Sequence, residues 1–156
     1  MIKSLLIHTI AAALLLPILS TTASAKKYGG FKTGYTFTLR VKKVSSVEAT
    51  GTPGSGTTKK VEIPDGLPKF RKGQKVRFRI GRRGKLVFKG AKIPFREDAG
   101  YSNLYRRTEP MSAAVTDDGQ VIKTKKNKAE AVFLNFTRLS GGPGNTVTYS
   151  LSYTLR

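Results

Sequence analysis

From Lys26 onward the chain alternates. Tyr35, Phe37, Leu39 and Val41 fall on one side of an extended segment, while Thr36, Thr38, Arg40 and Lys42 fall on the other. A strand half-buried against a core shows this period of two, because successive β-carbons point to opposite faces of a sheet. The phase breaks at Lys43-Val44, which marks a bulge or the end of that strand. Val76, Phe78 and Ile80 alternate with Lys75, Arg77 and Arg79 in the same way. Gly81-Arg82-Arg83-Gly84 then turns the chain, and Lys85 to Lys89 returns with Leu86 and Phe88 on the apolar side, so this stretch predicts a β-hairpin.

The same grammar runs to the end of the chain. Thr50 to Thr58 has the Gly/Pro/Ser/Thr composition of a loop. Lys60 to Ile63 predicts a short strand closed by the turn Pro64-Asp65-Gly66, and Asp117-Asp118-Gly119 predicts another tight turn leading into Val121-Ile122. Val132, Phe133, Leu134 and Phe136 are nearly continuous, the mark of a more fully buried strand over residues 128–139. After the turn Gly141 to Asn145, the last strand points Val147, Tyr149, Leu151, Tyr153 and Leu155 inward and Thr146, Thr148, Ser150, Ser152 and Thr154 outward. No segment sustains the 3.6-residue spacing of an amphipathic helix. The expected fold is all-β, a single antiparallel β-sandwich of about seven short strands, with a small closed β-barrel as the alternative.

The first 25 residues break this pattern. Lys3 is followed by the apolar run Leu5 to Leu19, the polar Ser20-Thr21-Thr22, and the small residues Ala23-Ser24-Ala25. That order is the one a secretory signal peptide requires. The apolar run carries His8 and Pro17 and is shorter than the ~20 residues of a spanning helix. The expected organisation is therefore a cleavable leader over residues 1–25 and one all-β domain over 26–156. The product would be secreted or periplasmic, with no transmembrane segment after cleavage.

Composition removes whole classes of chemistry. Across 156 residues there is no cysteine, and the one histidine, His8, lies in the leader. Disulfide frameworks, thiolate nucleophiles, histidine bases and Cys/His metal sites are therefore absent from residues 26–156. No cofactor and no metal ion is expected. The 29 Lys and Arg against nine Asp and Glu give a net charge of +20. Cleavage would remove Lys3 alone among the charged residues, leaving 28 basic residues against nine acids, or +19. Solubility asks for a net charge of only ~2–8 on a small domain.

The charge is also uneven. From Gly66 to Arg96 there are twelve basic residues and no acid. If the apolar side of the hairpin faces the core, Lys75, Arg77, Arg79, Lys85 and Lys89 share the opposite face, with Arg82 and Arg83 at the tip. Like charges on paired strands oppose folding, so such a face is suited to an anionic partner. These seven residues form the candidate anion-binding site. Outside the cytoplasm the matching partners are anionic polysaccharides, envelope polymers and anionic lipid surfaces, with nucleic acid a lesser expectation. The plainer account is a solvated sheet face whose cations guard an edge from aggregation.

Residues 93–107 hold the densest mixture of reactive groups. Arg96, Tyr101, Tyr105, Arg106 and Arg107 compose a possible secondary site, with the tyrosines as a stacking platform. Glu97 would be the acid of a polysaccharide hydrolase. The plainer account is a connecting loop whose tyrosines edge the core. A binding module is the favoured expectation. A structural module with an acidic protein partner, a small outer-membrane β-barrel and the hydrolase are its rivals.

Overall fold

In the computed structural model, residues 25–51, 56–96, 104–108, 115–142 and 146–156 are described. The predicted leader, the middle of the Thr50–Thr58 loop, and Glu97 and Tyr101 lie outside them. Among the described residues the alternation seen in the sequence becomes eleven antiparallel strands: β1 (Lys27–Tyr28), β2 (Phe31–Lys32), β3 (Thr36–Thr50), β4 (Thr57–Lys60), β5 (Lys75–Ile80), β6 (Leu86–Phe88), β7 (Ala91–Ile93), β8 (Leu104–Thr108), β9 (Val115–Lys123), β10 (Ala129–Ser140) and β11 (Val147–Leu155). There is no α-helix among the described residues.

One sheet dominates, in the order β7-β6-β5-β3-β11-β10-β9-β8, with β4 added beside β3. Its two ends meet, since Phe95, just after β7, bridges Tyr105 in β8. Of the two all-β forms expected, the chain takes the closed one and bends a single sheet into a nearly complete barrel. The phase break expected at Lys43-Val44 is a bulge one residue earlier, at Lys42. β3 does not end there but runs to Thr50, with Lys42 as the extra residue between the Val41–Leu155 and Lys43–Thr154 pairs. The bulge switches the parity of the strand, so Val44 and Ser46 follow Val41 on the inner side. One continuous strand thereby pairs with β5 through its first half and with β11 through its second.

The interior is filled. Phe78, Ile80, Leu86, Ile93, Tyr105, Val121, Val132, Leu134 and Leu155 have no exposed surface. Outward positions of β5 and β11 carry Lys, Arg, Ser and Thr. A membrane barrel has the reverse sense, apolar outside and polar within.

Each end of the barrel has a plug. At one end, the β1–β2 hairpin stacks Phe31 on Tyr35, with ring centroids 4.9 Å apart, and the Tyr28 ring leaves no room for a β-carbon at Gly84. At the other, the segment from Val61 to Gln74 crosses the opening and buries Leu67, Pro68 and Phe70. The Tyr153 hydroxyl ties this segment down, donating to the Pro68 carbonyl at 2.5 Å and accepting from the Phe70 N–H at 3.2 Å.

Two further expectations are corrected. The strand predicted over Lys60–Ile63 lies earlier, at Thr57–Lys60, because residues 61–63 begin the crossing segment. Asp117-Asp118-Gly119 is not a turn but the middle of β9. Gly119 suits that place, because a β-carbon would sit 3.1 Å from Leu86 and 3.3 Å from Leu134, closer than ordinary packing. The actual turn comes at Thr124–Asn127, where the Asn127 N–H donates to the Thr124 carbonyl and Asn127 adopts φ 55°.

If Tyr153 holds the crossing segment, Tyr153→Phe should cost about 1–3 kcal/mol, since it leaves the Pro68 carbonyl and Phe70 N–H without a partner. Urea unfolding gives the cost, and the Phe70 amide should exchange faster in the variant. An unchanged midpoint and unchanged exchange would show that the segment is held by packing alone.

Candidate anion-binding face

The predicted hairpin forms as expected and becomes part of the barrel wall. Along β5 the burial alternates without a break, with Val76, Phe78 and Ile80 buried and Lys75, Arg77 and Arg79 exposed. Arg82, Arg83, Lys85 and Lys89 are exposed as well. All seven candidate cations therefore lie at the outer surface. β3 supplies the neighbouring row, where Thr36, Thr38 and Arg40 stand opposite Arg79, Arg77 and Lys75. On the other side Arg79 pairs with Val87, and Val87 with the exposed Lys92.

Ion pairing leaves this face alone. Among the described side chains three acids take cations elsewhere: Glu48 with Lys59 at 2.8 Å, Asp65 with Lys69 at 2.7 Å, and Asp117 with Arg138 at 2.7 Å. The Asp65 carboxylate is held below its usual range by the hydrogen bond and charge of Lys69. None of the seven hairpin cations has an acidic partner among the described side chains.

The arrangement opposes folding in two places. The backbone N–H groups of Val41 and Ile80 bond across to the Gln74 and Tyr35 carbonyls. Arg40 and Lys75 therefore form a non-hydrogen-bonded pair, the kind whose side chains stand closest. Arg40 eases the contact by turning Nη1 to the Gly73 carbonyl, 2.8 Å away. At the tip, Arg83 occupies a left-handed conformation at φ 56°, where glycine is the unstrained choice.

A shallow groove of about 690 Å³ runs over the same face. Lys75, Arg77, Arg79 and Lys89 line it, and Phe70 and Phe88 lie beneath. It brings four of the predicted residues to one concavity, whereas Arg82, Arg83 and Lys85 lie outside its lining. Arg83 instead borders a smaller cavity of about 370 Å³ with Lys26, Tyr28 and Phe95. The alternation in the sequence located the cations but carried no sign of this groove.

Of the possible secondary site, the side chains of Arg96 and Tyr105 are described. Arg96 is exposed, but Tyr105 has no exposed surface and packs edge-on against Phe95 with centroids 5.3 Å apart. Tyr105 is a core residue and is not available as a surface stacking platform. Arg106 and Arg107 lie in β8, and their side chains are outside the described set, like Tyr101 and Glu97. Among the described residues no cluster of His, Cys, Asp and Glu could hold a metal ion. The buried Asp117 carboxylate is spoken for by Arg138, whose Nη1 also donates to the Thr137 carbonyl. Comparison of the chain with protein-family models, curated proteins and solved structures finds no match.

Two predictions follow from these positions. Lys75→Glu turns a like-charge pair with Arg40 into an opposite-charge pair, so it should raise stability by about 0.5 kcal/mol while weakening anion binding. Chemical denaturation and a heparin column read the two effects, and a loss of both would argue against a face held at a cost to the fold. Tyr105 presents its hydroxyl to no partner among the described residues, and burial pushes its ionisation well above that of a free phenol at about 10. The unfolded chain therefore releases this proton first, and stability falls as pH rises past about 10. Tyr105→Phe removes a buried hydroxyl that has no partner among the described residues, so it should raise stability at pH 7 by about 1 kcal/mol and move alkaline unfolding to higher pH, as monitored by circular dichroism.

Proposed function

We propose that the mature chain is an exported binding module whose basic barrel face engages an anionic polymer at or beyond the cell surface, with acidic polysaccharide the leading partner. The observation that carries this reading is the set of seven outward cations around one hairpin, none of them paired with an acid among the described side chains. A protein that only needed solubility would be better served by mixing signs on such a surface. The Arg40–Lys75 opposition and the left-handed Arg83 are the local costs of holding the charges there.

Arginine forks suit carboxylate, sulfate and phosphate in a two-point manner. The aromatic rings near the face are buried, with Phe78 at 0 % exposure and Phe88 at 6 %. Single-stranded nucleic acid binding draws on exposed rings for base stacking, and the face offers none. Catalysis has no support among the described residues, since the face holds neither a carboxylate nor an imidazole.

The test compares two charge reversals. Arg77→Glu, Arg79→Glu and Arg82→Glu together should sharply lower the salt needed to elute the protein from heparin. The same three changes at the exposed Lys125, Lys126 and Lys128 should shift elution much less, and both variants should move similarly on a plain sulfonate resin. Equal losses on heparin would mean that bulk charge does the binding and that the face is no site.

A further inference from the structure

The groove is more than a gap between charged side chains, because it marks a place where the barrel wall fails to pair. β5 spans Lys75–Ile80, yet its ladder with β6 consists of two pairs only, Arg79–Val87 and Ile80–Leu86. Beyond Phe88 the chain turns away toward the crossing segment, and Gly90 comes against Pro68. A wedge opens between the first half of β5 and the departing Lys89.

The direction of the backbone groups in this wedge follows from the bonds on the other side. The Ile80 N–H donates to the Tyr35 carbonyl and the Ile80 carbonyl accepts from the Gly34 N–H, so both of its polar groups face β3. Alternation places those of Phe78 and Val76 on the same side. The N–H and C=O of Arg77 and Lys75 must then face the wedge, where no backbone hydrogen bond among the described residues receives them. The wedge thus offers free donors, free acceptors, a rim of Lys75, Arg77, Arg79 and Lys89, and an apolar wall with Val87 at its top.

This combination discriminates among anions. Polyphosphate brings acceptors only, so it would leave the free carbonyls unsatisfied and face their negative ends. An acidic peptide brings both kinds of group, but adding a strand needs a longer edge than two residues. Here the unpaired outward groups are those of Lys75 and Arg77 alone, ~7 Å apart, before the edge is closed by the paired Arg79. A sugar ring fits the length, its hydroxyls both donate and accept, and its carbon–hydrogen face suits the apolar wall. We infer that the wedge is a saccharide subsite that seats one ring of an acidic polysaccharide, with its hydroxyls on the Lys75 and Arg77 backbone and its carboxylate or sulfate groups on the surrounding cations.

This assignment rests on the reading of the basic face above, and the experiment separates the two. Val87→Phe and Thr36→Phe each place a ring in the groove from a different wall without changing charge. Thr36 is exposed, so the second variant guards against a folding defect in the first. Binding of a heparin-derived tetrasaccharide and of a polyphosphate of equal charge is measured by calorimetry on the mature chain, at one salt concentration. Both variants are expected to weaken the tetrasaccharide about tenfold, or roughly 1.4 kcal/mol, and to leave polyphosphate unchanged. Undiminished tetrasaccharide binding in a folded variant would overturn the subsite while leaving the charged face standing. An equal loss of both ligands would overturn it too, as would a wild-type preference for polyphosphate or for an acidic peptide of equal charge. Failure of the charge reversals on heparin would instead remove the underlying reading.

Discussion

Everything in this molecule depends on closing one antiparallel sheet over an apolar interior. Once the sheet is closed, each strand has one face to fill the core and one face for water, and no side chain is neutral in that choice. The interior takes Phe78, Ile80, Leu86, Leu134 and Leu155 to full burial. The alternate positions must then carry whatever the surface is for. On β5 they carry Lys75, Arg77 and Arg79. The hairpin cations are thus a consequence of barrel geometry as much as of composition: the period that packs the core also sets the charges two residues apart on one face.

The same constraint explains how the fold tolerates the repulsion. Surface charge pairs contribute a few tenths of a kcal/mol each, whereas burying one large side chain contributes several times as much. The aromatic residues link the plugs to the walls, with Phe31 stacked on Phe37 at 6.3 Å and Phe70 tilted against Tyr153 at 5.1 Å. A core of that kind can hold Arg40 beside Lys75 and Arg83 in a left-handed turn without coming near unfolding. Two of the described acids, meanwhile, tie strands together: Glu48 fastens β4 to β3 through Lys59, and Asp117 pairs with Arg138 between β9 and β10.

How much of this was legible in the sequence depends on the range of the interaction. Alternation is local, so the inner and outer sets of β5 and β11 could be read residue by residue, as could the phase break at Lys43-Val44. Closure is not local. The Phe95–Tyr105 bridge joins segments that no pattern connects, so the sequence leaves the barrel an alternative to the sandwich and leaves Tyr105 readable as either a surface platform or an edge of the core. Asp117-Asp118-Gly119 misled for a related reason. Asp-Gly is a strong turn signal, but here the glycine answers to Leu86, Ile93 and Leu134 crowding it from across the barrel. The wedge was invisible because an unpaired strand edge is defined by the departure of another strand. Nothing in Lys75-Val76-Arg77 marks it.

That difference in range bears on how an anion would be recognised. Field strength is a property of the whole chain, and beyond about 8 Å it is screened at physiological ionic strength. It draws any polyanion toward the barrel and discriminates among them little. Discrimination needs contacts shorter than the screening length and directional in kind. In the proposed subsite the Lys75–Arg77 edge would supply them, because a backbone N–H and C=O side by side suit a ligand that can both accept and donate. The two features also differ in how they respond to salt. Contacts from the cations weaken as ions compete, whereas hydrogen bonds inside a groove are affected far less. A ligand held by charge alone would leave as salt rises, and one seated in the wedge would retain a residue of affinity at high salt. On the proposed reading it is the break in the barrel wall, rather than the size of the charge, that would turn a generally basic surface into one capable of choosing.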